Sequence, residues 1–315
     1  MNEKKDTFST FHPVINFTFY IGAFLLGMML IHPVFLAVSA ITAAAFYITV
    51  KGRKAKSFLF GMIPLFLMLS FINPLFNTYG DRVLFTWWND RPYTLEALAY
   101  GTSLAAMVVT ILLWFASYRL VMTSDKFLYL FGKAAPSVSL VLTMILRLLP
   151  NYEKKIAQIG NARKSIGMSA ENGTTKEKAE HGLTIVSAMT SWALEGGIIM
   201  ADSMRSRGFG TGKRTTFSLY RFEKRDKILL AIMAGFLAIV IFCCIMGGSS
   251  AQYTPEFLVA MSPYTVVGAV AYGAFLALPT AVNITEEIIW YILRSKICAS
   301  IILQKKRSRL FPILT

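Results

Sequence analysis

Arg163 and Arg207 each close a long amphipathic stretch, and both lie in one basic segment between long apolar runs. They stand in two similar tripeptides, Ala162-Arg163-Lys164 and Ser206-Arg207-Gly208. A guanidinium is a planar fork that pairs with a carboxylate through two hydrogen bonds. Carried on a helix tip, such a fork can dock in a groove with an acid at its floor. Partly desolvated, the contact is worth a few kcal/mol when one partner is deleted. The plainer use of a cation there is to complement the helix dipole and reach anionic lipid. Two copies in one segment favour docking, on a partner that repeats the matching groove.

The elements that must position these arginines are legible as periodicity. A first short helix is expected from Ser124-Asp125 to about Gly132, before Pro136, with Asp125 near its start, where a carboxylate meets unsatisfied N–H groups. A second runs from about Ser137 to Ser165. Its apolar positions Ile145, Leu149, Tyr152, Ile156 and Ile159 alternate steps of four and three, and Arg163 is the next position on that stripe. Arg147, Lys154 and Lys155 fall off it. Gly167, Asn172 and Gly173 break the pattern, and Thr174 to Glu180 is polar.

A third stretch, about Leu183 to Arg207, is rich in small residues and methionine: Ala188, Met189, Ala193, Gly196, Gly197, Met200, Ala201 and Met204. Small residues permit close helix crossing, and methionine suits a surface that accepts different partners. Gly208 is placed as the left-handed stop after the helix. The second and third stretches can cross each other along the membrane surface without spanning it, since charges interrupt both. Glu195 and Asp202 are expected to pair at the surface with Arg205 or with lysines.

The rest of the chain is a membrane protein. Apolar residues make up 55% of its 315 residues, against about 45–50% in ordinary soluble domains, and they gather in long runs. About six spans are expected, near 14–31, 33–50, 57–76, 95–118, 228–246 and 258–279. The net charge of +15 falls between these runs. Basic residues crowd 51–56, the middle segment and the C-terminal tail, while the connections around 77–93 and 247–255 lack an excess. The positive-inside rule then puts both termini and the middle segment in the cytoplasm, and an even number of spans agrees. This bias accounts for the charge without nucleic acid. Trp87 and Trp88 are expected at an outer lipid–water boundary.

Other chemistry is poorly supported. The three cysteines and three histidines show no metal-ligand spacing, so no metal or cofactor is expected. Gly208-Phe209-Gly210-Thr211-Gly212-Lys213 fails as a phosphate loop, because Arg207 and Arg214 occupy the positions that need Gly and Ser or Thr. No Asp, Glu, Lys or Arg lies mid-span; Glu96 reads as a boundary residue. That argues against ion coupling and against a membrane enzyme. A stand-alone channel or secondary transporter with a regulatory cytoplasmic domain is the alternative.

Together these features resemble the transmembrane T component of energy-coupling factor (ECF) transporters, over roughly residues 10–297. Ser206-Arg207-Gly208 is similar to the second of that family's two arginine motifs, and Ala162-Arg163-Lys164 in part to the first. Ile72-Asn73-Pro74-Leu75-Phe76-Asn77 with Gly80, and Leu278-Pro279 with Glu286, Glu287, Trp290, Arg294 and Lys296, also resemble the family. The resemblance implies an all-α polytopic protein without catalytic residues of its own. It implies that Ala162, Arg163, Lys164, Ser206, Arg207 and Gly208 couple to two ABC-type ATPases, each arginine entering one groove. It further implies a membrane-embedded substrate-binding S component for a vitamin or metal ion, with Met189, Gly196, Gly197, Met200 and Met204 as its contact. The expected domains are residues 1–118, four spans; 119–227, a cytoplasmic coupling domain; 228–297, a membrane hairpin and interfacial helix; and 298–315, a basic tail.

Overall fold

A computed structural model describes residues 6–77, 80, 82–86, 92–132, 134–167, 174–212, 220–249, 251–252, 258–259 and 262–310, the last of these by backbone alone beyond residue 294. Trp87, Trp88, Asn172, Gly173, Lys213, Arg214 and the side chains of the basic tail lie outside the described residues. The chain forms two compact units, one of Met1–Ser124 with Tyr220–Thr315, the other of Asp125–Leu219.

The first unit holds α1 (Pro13–Met29), α2 (Pro33–Lys51), α3 (Ala55–Phe76), α4 (Leu95–Val121), α8 (Lys224–Ile245) and α9 (Pro263–Leu310), with two small antiparallel hairpins, β1 (Val83–Thr86) with β2 (Pro92–Thr94) and β3 (Ala251–Gln252) with β4 (Leu258–Val259). The second holds α5 (Ser124–Gly132), which opens one residue before it, then α6 (Pro136–Ser165) and α7 (Thr175–Ser206). Among the described residues six helices are long and apolar enough to cross a membrane: α2, α3, α4, α7, α8 and the Pro263–Arg294 part of α9. The all-α polytopic class expected from the sequence is borne out.

The list of spans differs in two places. The expected first span is α1, an apolar helix of 17 residues, about 25 Å long at 1.5 Å per residue. The helix α7, read from sequence as lying along the surface, meets the length and composition of a span. At the C-terminal end, the separate interfacial helix expected after the last span is the unbroken continuation of α9 through Pro279. Proline removes one donor from a helix, but apolar and helix-favouring residues continue on both sides.

Two similar starts open α1 and α2. His12-Pro13-Val14 and His32-Pro33-Val34 each put proline in the first turn, where its missing N–H is no loss. In each, histidine Nδ1 accepts from the valine N–H at 3.3 Å and satisfies a free donor of that turn. Burial pushes the His32 imidazole below its ordinary value, in keeping with its role as a neutral acceptor.

The core of the first unit is aromatic. Phe19, Trp114, Phe46, Phe275 and Phe8 are almost wholly buried and meet edge to face or tilted, apart from the stacked pair Phe46–Trp114, with Phe19–Trp114 centroids 5.5 Å apart. Ser39, fully buried on α2, accepts from Trp114 Nε1 of α4 at 3.3 Å and from the Tyr272 hydroxyl of α9 at 3.4 Å. One hydroxyl thus serves donors from two other helices. Inside a bilayer those donors find no water.

The helices α3 and α4 approach closely at Gly101. A Cβ there would lie 2.8 Å from Asn73 Cβ and 2.9 Å from the Ser70 carbonyl oxygen, and one residue on, Thr102 shares a 2.7 Å hydrogen bond with Ser70. Gly101→Ala must therefore push the two backbones apart. The expected cost is about 1–3 kcal/mol, read as a lower melting temperature of the detergent-purified protein. An unchanged melt would show that α3 yields freely at this crossing.

Candidate functional site

The helix α7 starts one residue into the polar stretch Thr174 to Glu180. Thr174 and Glu177 form a reciprocal cap: the Thr174 N–H donates to Glu177 Oε2 at 2.8 Å, and the Glu177 N–H donates to Thr174 Oγ1 at 3.5 Å. The Thr-x-x-Glu spacing was the available signal. The added first turns carry His181 onto the helix.

At its other end, α7 stops in a doubly bonded turn. The Gly208 N–H donates to the Arg205 carbonyl at 2.9 Å and the Phe209 N–H to the Met204 carbonyl at 3.0 Å. Gly208 has φ +77°, where a side chain is disfavoured and glycine is not. Thr211 then closes on the Gly208 carbonyl through its hydroxyl at 2.7 Å. Arg207 sits at the cap position itself, with φ −87° and ψ 9°. Its side chain is exposed and makes no hydrogen bond or ion pair with the described residues. The tip is a tightly bonded turn with a free guanidinium on it.

The end of α6 is similar in backbone and different in side chain. Ile166 takes the cap position, and Gly167 follows at φ +79° with its N–H on the Lys164 carbonyl at 3.1 Å. Arg163 therefore lies three residues before the cap, where Met204 lies on α7. It points at its neighbour: Arg163 Nη2 donates to His181 Nδ1 at 2.8 Å, and its Nε is buried with no partner among the described residues. Ala162 and Lys164 beside it are exposed. The two arginines, alike in sequence, occupy different positions.

Further along, α6 and α7 meet in opposite chain directions around Trp192. Tyr152 packs edge-on to the indole with centroids 5.4 Å apart, and Lys155 Nζ stands 5.6 Å from the ring centroid. Lys155, placed off the stripe by periodicity, thus lies on the contact face. Trp192 and His181 had no role in the sequence reading. The expected glycine-mediated crossing does not form: a Cβ on Gly160, Gly182, Gly196 or Gly197 would meet nothing within 4 Å. The ion pairs expected for Glu195 and Asp202 are also missing among the described residues; both carboxylates are exposed. Bulky aromatic and cationic side chains hold the crossing instead, and they keep the backbones apart.

Neither α6 nor α7 has a buried residue. Leu183, Val186, Leu194, Ile198 and Ile199 are all more than 60% exposed on α7, as is Val138 on α6. On the methionine face, Met189, Met200 and Met204 are half-buried and Gly196 and Gly197 are open. Glu96, read as a boundary residue, lies in the first turn of α4; it is also 3% exposed, packed where a Gly80 side chain would be. Among the described residues no group of three His, Cys, Asp or Glu side chains could hold a metal ion.

The structure thus defines a multi-pass helical membrane protein that presents two long, arginine-ended helices with no core of their own. No family model matches the chain. It is 27% identical over 244 residues to the energy-coupling factor transporter transmembrane protein EcfT of Lactobacillus helveticus, covering 69% of this chain and 86% of that protein. It is 29% identical over 109 residues to EcfT of Leuconostoc gelidum, covering 34% of this chain and 41% of the relative. An uncharacterized MG181 homolog of Mycoplasma pneumoniae matches at 27% over 122 residues, 38% of this chain and 28% of its own. The resemblance to the ECF T components is borne out by the two EcfT matches.

Proposed function

We propose that this chain couples two cytoplasmic ABC-type ATPases to a membrane-embedded S component, and that ATP-driven motion of the ATPases moves the S component during uptake of a micronutrient, a vitamin or a metal ion. The chain itself hydrolyses nothing. Arg163 and Arg207, with Ala162, Lys164, Ser206 and Gly208 around them, are the ATPase contacts. Met189, Gly196, Gly197, Met200 and Met204 belong to the S-component contact. Both termini and the 125–219 unit are cytoplasmic, as the distribution of basic residues favours.

The observation that carries this reading is the nakedness of α6 and α7. Helices of 30 and 32 residues without one buried side chain cannot persist in water on propensity alone. Their apolar faces need cover from lipid or other subunits. A free guanidinium on a tightly bonded tip supplies the directional contact that lipid does not require. We read α7 as running along the membrane and its partners rather than through it, because Glu195 and Asp202 are exposed on it and find no partner among the described residues.

The test is assembly. Co-expressed with the ABC-type ATPases of its own host, the tagged chain is expected to retain two ATPase subunits through purification. A chain that purifies without them, and moves solute across liposomes unaided, is a channel or secondary transporter, and the proposal is wrong.

A further inference from the structure

The two arginine tips differ in a way that assigns a role to His181. We infer that His181 is a positioning residue for Arg163: it holds the guanidinium at a fixed angle and makes that contact sensitive to acid. The inference rests on the proposed docking of the arginines.

Arginine carries only donors, so a 2.8 Å contact from Arg163 Nη2 to His181 Nδ1 requires a bare Nδ1. The imidazole is therefore neutral there, with its proton on Nε2. Arg163 Nε is buried beside this bond. The Nε edge of the guanidinium is thus turned into the helix pair, and Nη1 with the second Nη2 proton is left for a partner's carboxylate. A long side chain that would otherwise sample many rotamers is held by one bond, which lowers the ordering cost of docking. Among the described residues Arg207 has no such neighbour, and its tip is fixed by backbone bonds instead.

The contact has a sign. Histidine changes charge between about pH 5 and 8. Protonated at Nδ1, His181 would offer a donor to a donor and place two cations side by side, so the bond is lost on acidification. Among the described residues no carboxylate bonds to His181 to offset this. The element packed against His181 is α6, which brings Arg163 and, next to it, the exposed Lys164. On α7 itself the nearest charges are Glu177, already committed to the Thr174 N–H, with exposed Lys178 and Glu180. The last turn of α6 then loses its tie to α7, and Arg163 its set angle.

The experiment uses the complex of the full chain with its ATPases, washed at pH 8 and at pH 5.5. The wild type is expected to keep its ATPases at pH 8 and to lose them several-fold more readily at pH 5.5. His181→Asn keeps an acceptor oxygen in the place of Nδ1 and cannot titrate; it is expected to hold the ATPases equally at both pH values. His181→Phe keeps the ring without the acceptor and is expected to be weak at both. If His181→Asn weakens with acid as the wild type does, the titrating group is elsewhere and the inference is overturned. The same holds if His181→Phe matches the wild type at pH 8. In either case the docking reading survives, since its own test is whether Arg163→Glu with Arg207→Glu still retains the ATPases.

Discussion

The double variant Arg163→Glu, Arg207→Glu is expected to insert normally and to purify without ATPases. Each substitution replaces an attractive charge pair with a repulsive one. Removing one partner of a desolvated, hydrogen-bonded pair costs about 2–5 kcal/mol. Even the lower figure is roughly thirtyfold in affinity per tip. The two tips lie at opposite ends of the helix pair and share no partner, so their effects should nearly add, giving a loss on the order of a thousandfold. The single variants should separate by a second readout. Arg207 makes no hydrogen bond or ion pair with the described residues, so Arg207→Glu is expected to weaken association and leave the melting temperature unchanged. Arg163→Glu also removes the bond to His181 and should lower both. Equal melts for the two singles would mean that the Arg163–His181 bond contributes nothing to the helix pair. ATPases retained by the double variant would mean that the arginines are dipole caps or lipid contacts.

Why the sequence yielded the helices but misplaced the contacts follows from what each signal encodes. Periodicity located α6 to within a residue because an apolar stripe at steps of three and four is a local property of one helix. Gly208 as a stop was legible for the same reason: only the chain's own backbone decides whether a residue must take positive φ. The start of α7 was missed although Thr174-x-x-Glu177 is also local, because the polar residues after it hid the helix from an apolar criterion. Crossings are different. They depend on which side chains of two helices meet, and composition favoured the glycines of α7, whereas Tyr152, Lys155 and Trp192 make the contact. His181 carried no signal at all, since a lone histidine in a polar stretch reads as solvated surface. The two arginine tripeptides were matched on residue type alone. Their register against the helix stops, Arg207 at the cap and Arg163 three residues before it, is a property of backbone geometry that a tripeptide does not specify. The membrane helices show the same division. Apolar length found them, and it also admits α7, because length and composition do not separate a helix covered by lipid and protein from one that crosses.

Gly208 separates the shape of the tip from its charge. Gly208→Val leaves Arg207 in place but puts a β-branched residue at φ +77°, a genuine outlier for that side-chain type. Holding it there costs about 1–2 kcal/mol, comparable to the two bonds that close the turn, from the Gly208 and Phe209 N–H groups. The last turn of α7 is then expected to fray, and Arg207 to lose the position that the turn gives it. Gly208→Asn is the matched control, because asparagine visits this region with little strain. If a partner groove reads the tip as a rigid body, valine should weaken ATPase association about tenfold, the equivalent of roughly 1.4 kcal/mol, while asparagine should leave it near wild type. Should valine and asparagine both bind as the wild type does, the groove reads charge alone, and a Schellman-type stop beneath Arg207 is only the way this helix ends. A loss shared by both would point to the glycine's small size, a groove too narrow for any side chain at that position, and would place the partner's wall against residue 208 rather than against the guanidinium. The three outcomes differ in which atom of the tip touches the ATPase, and association measured on these two variants beside Arg207→Glu distinguishes them.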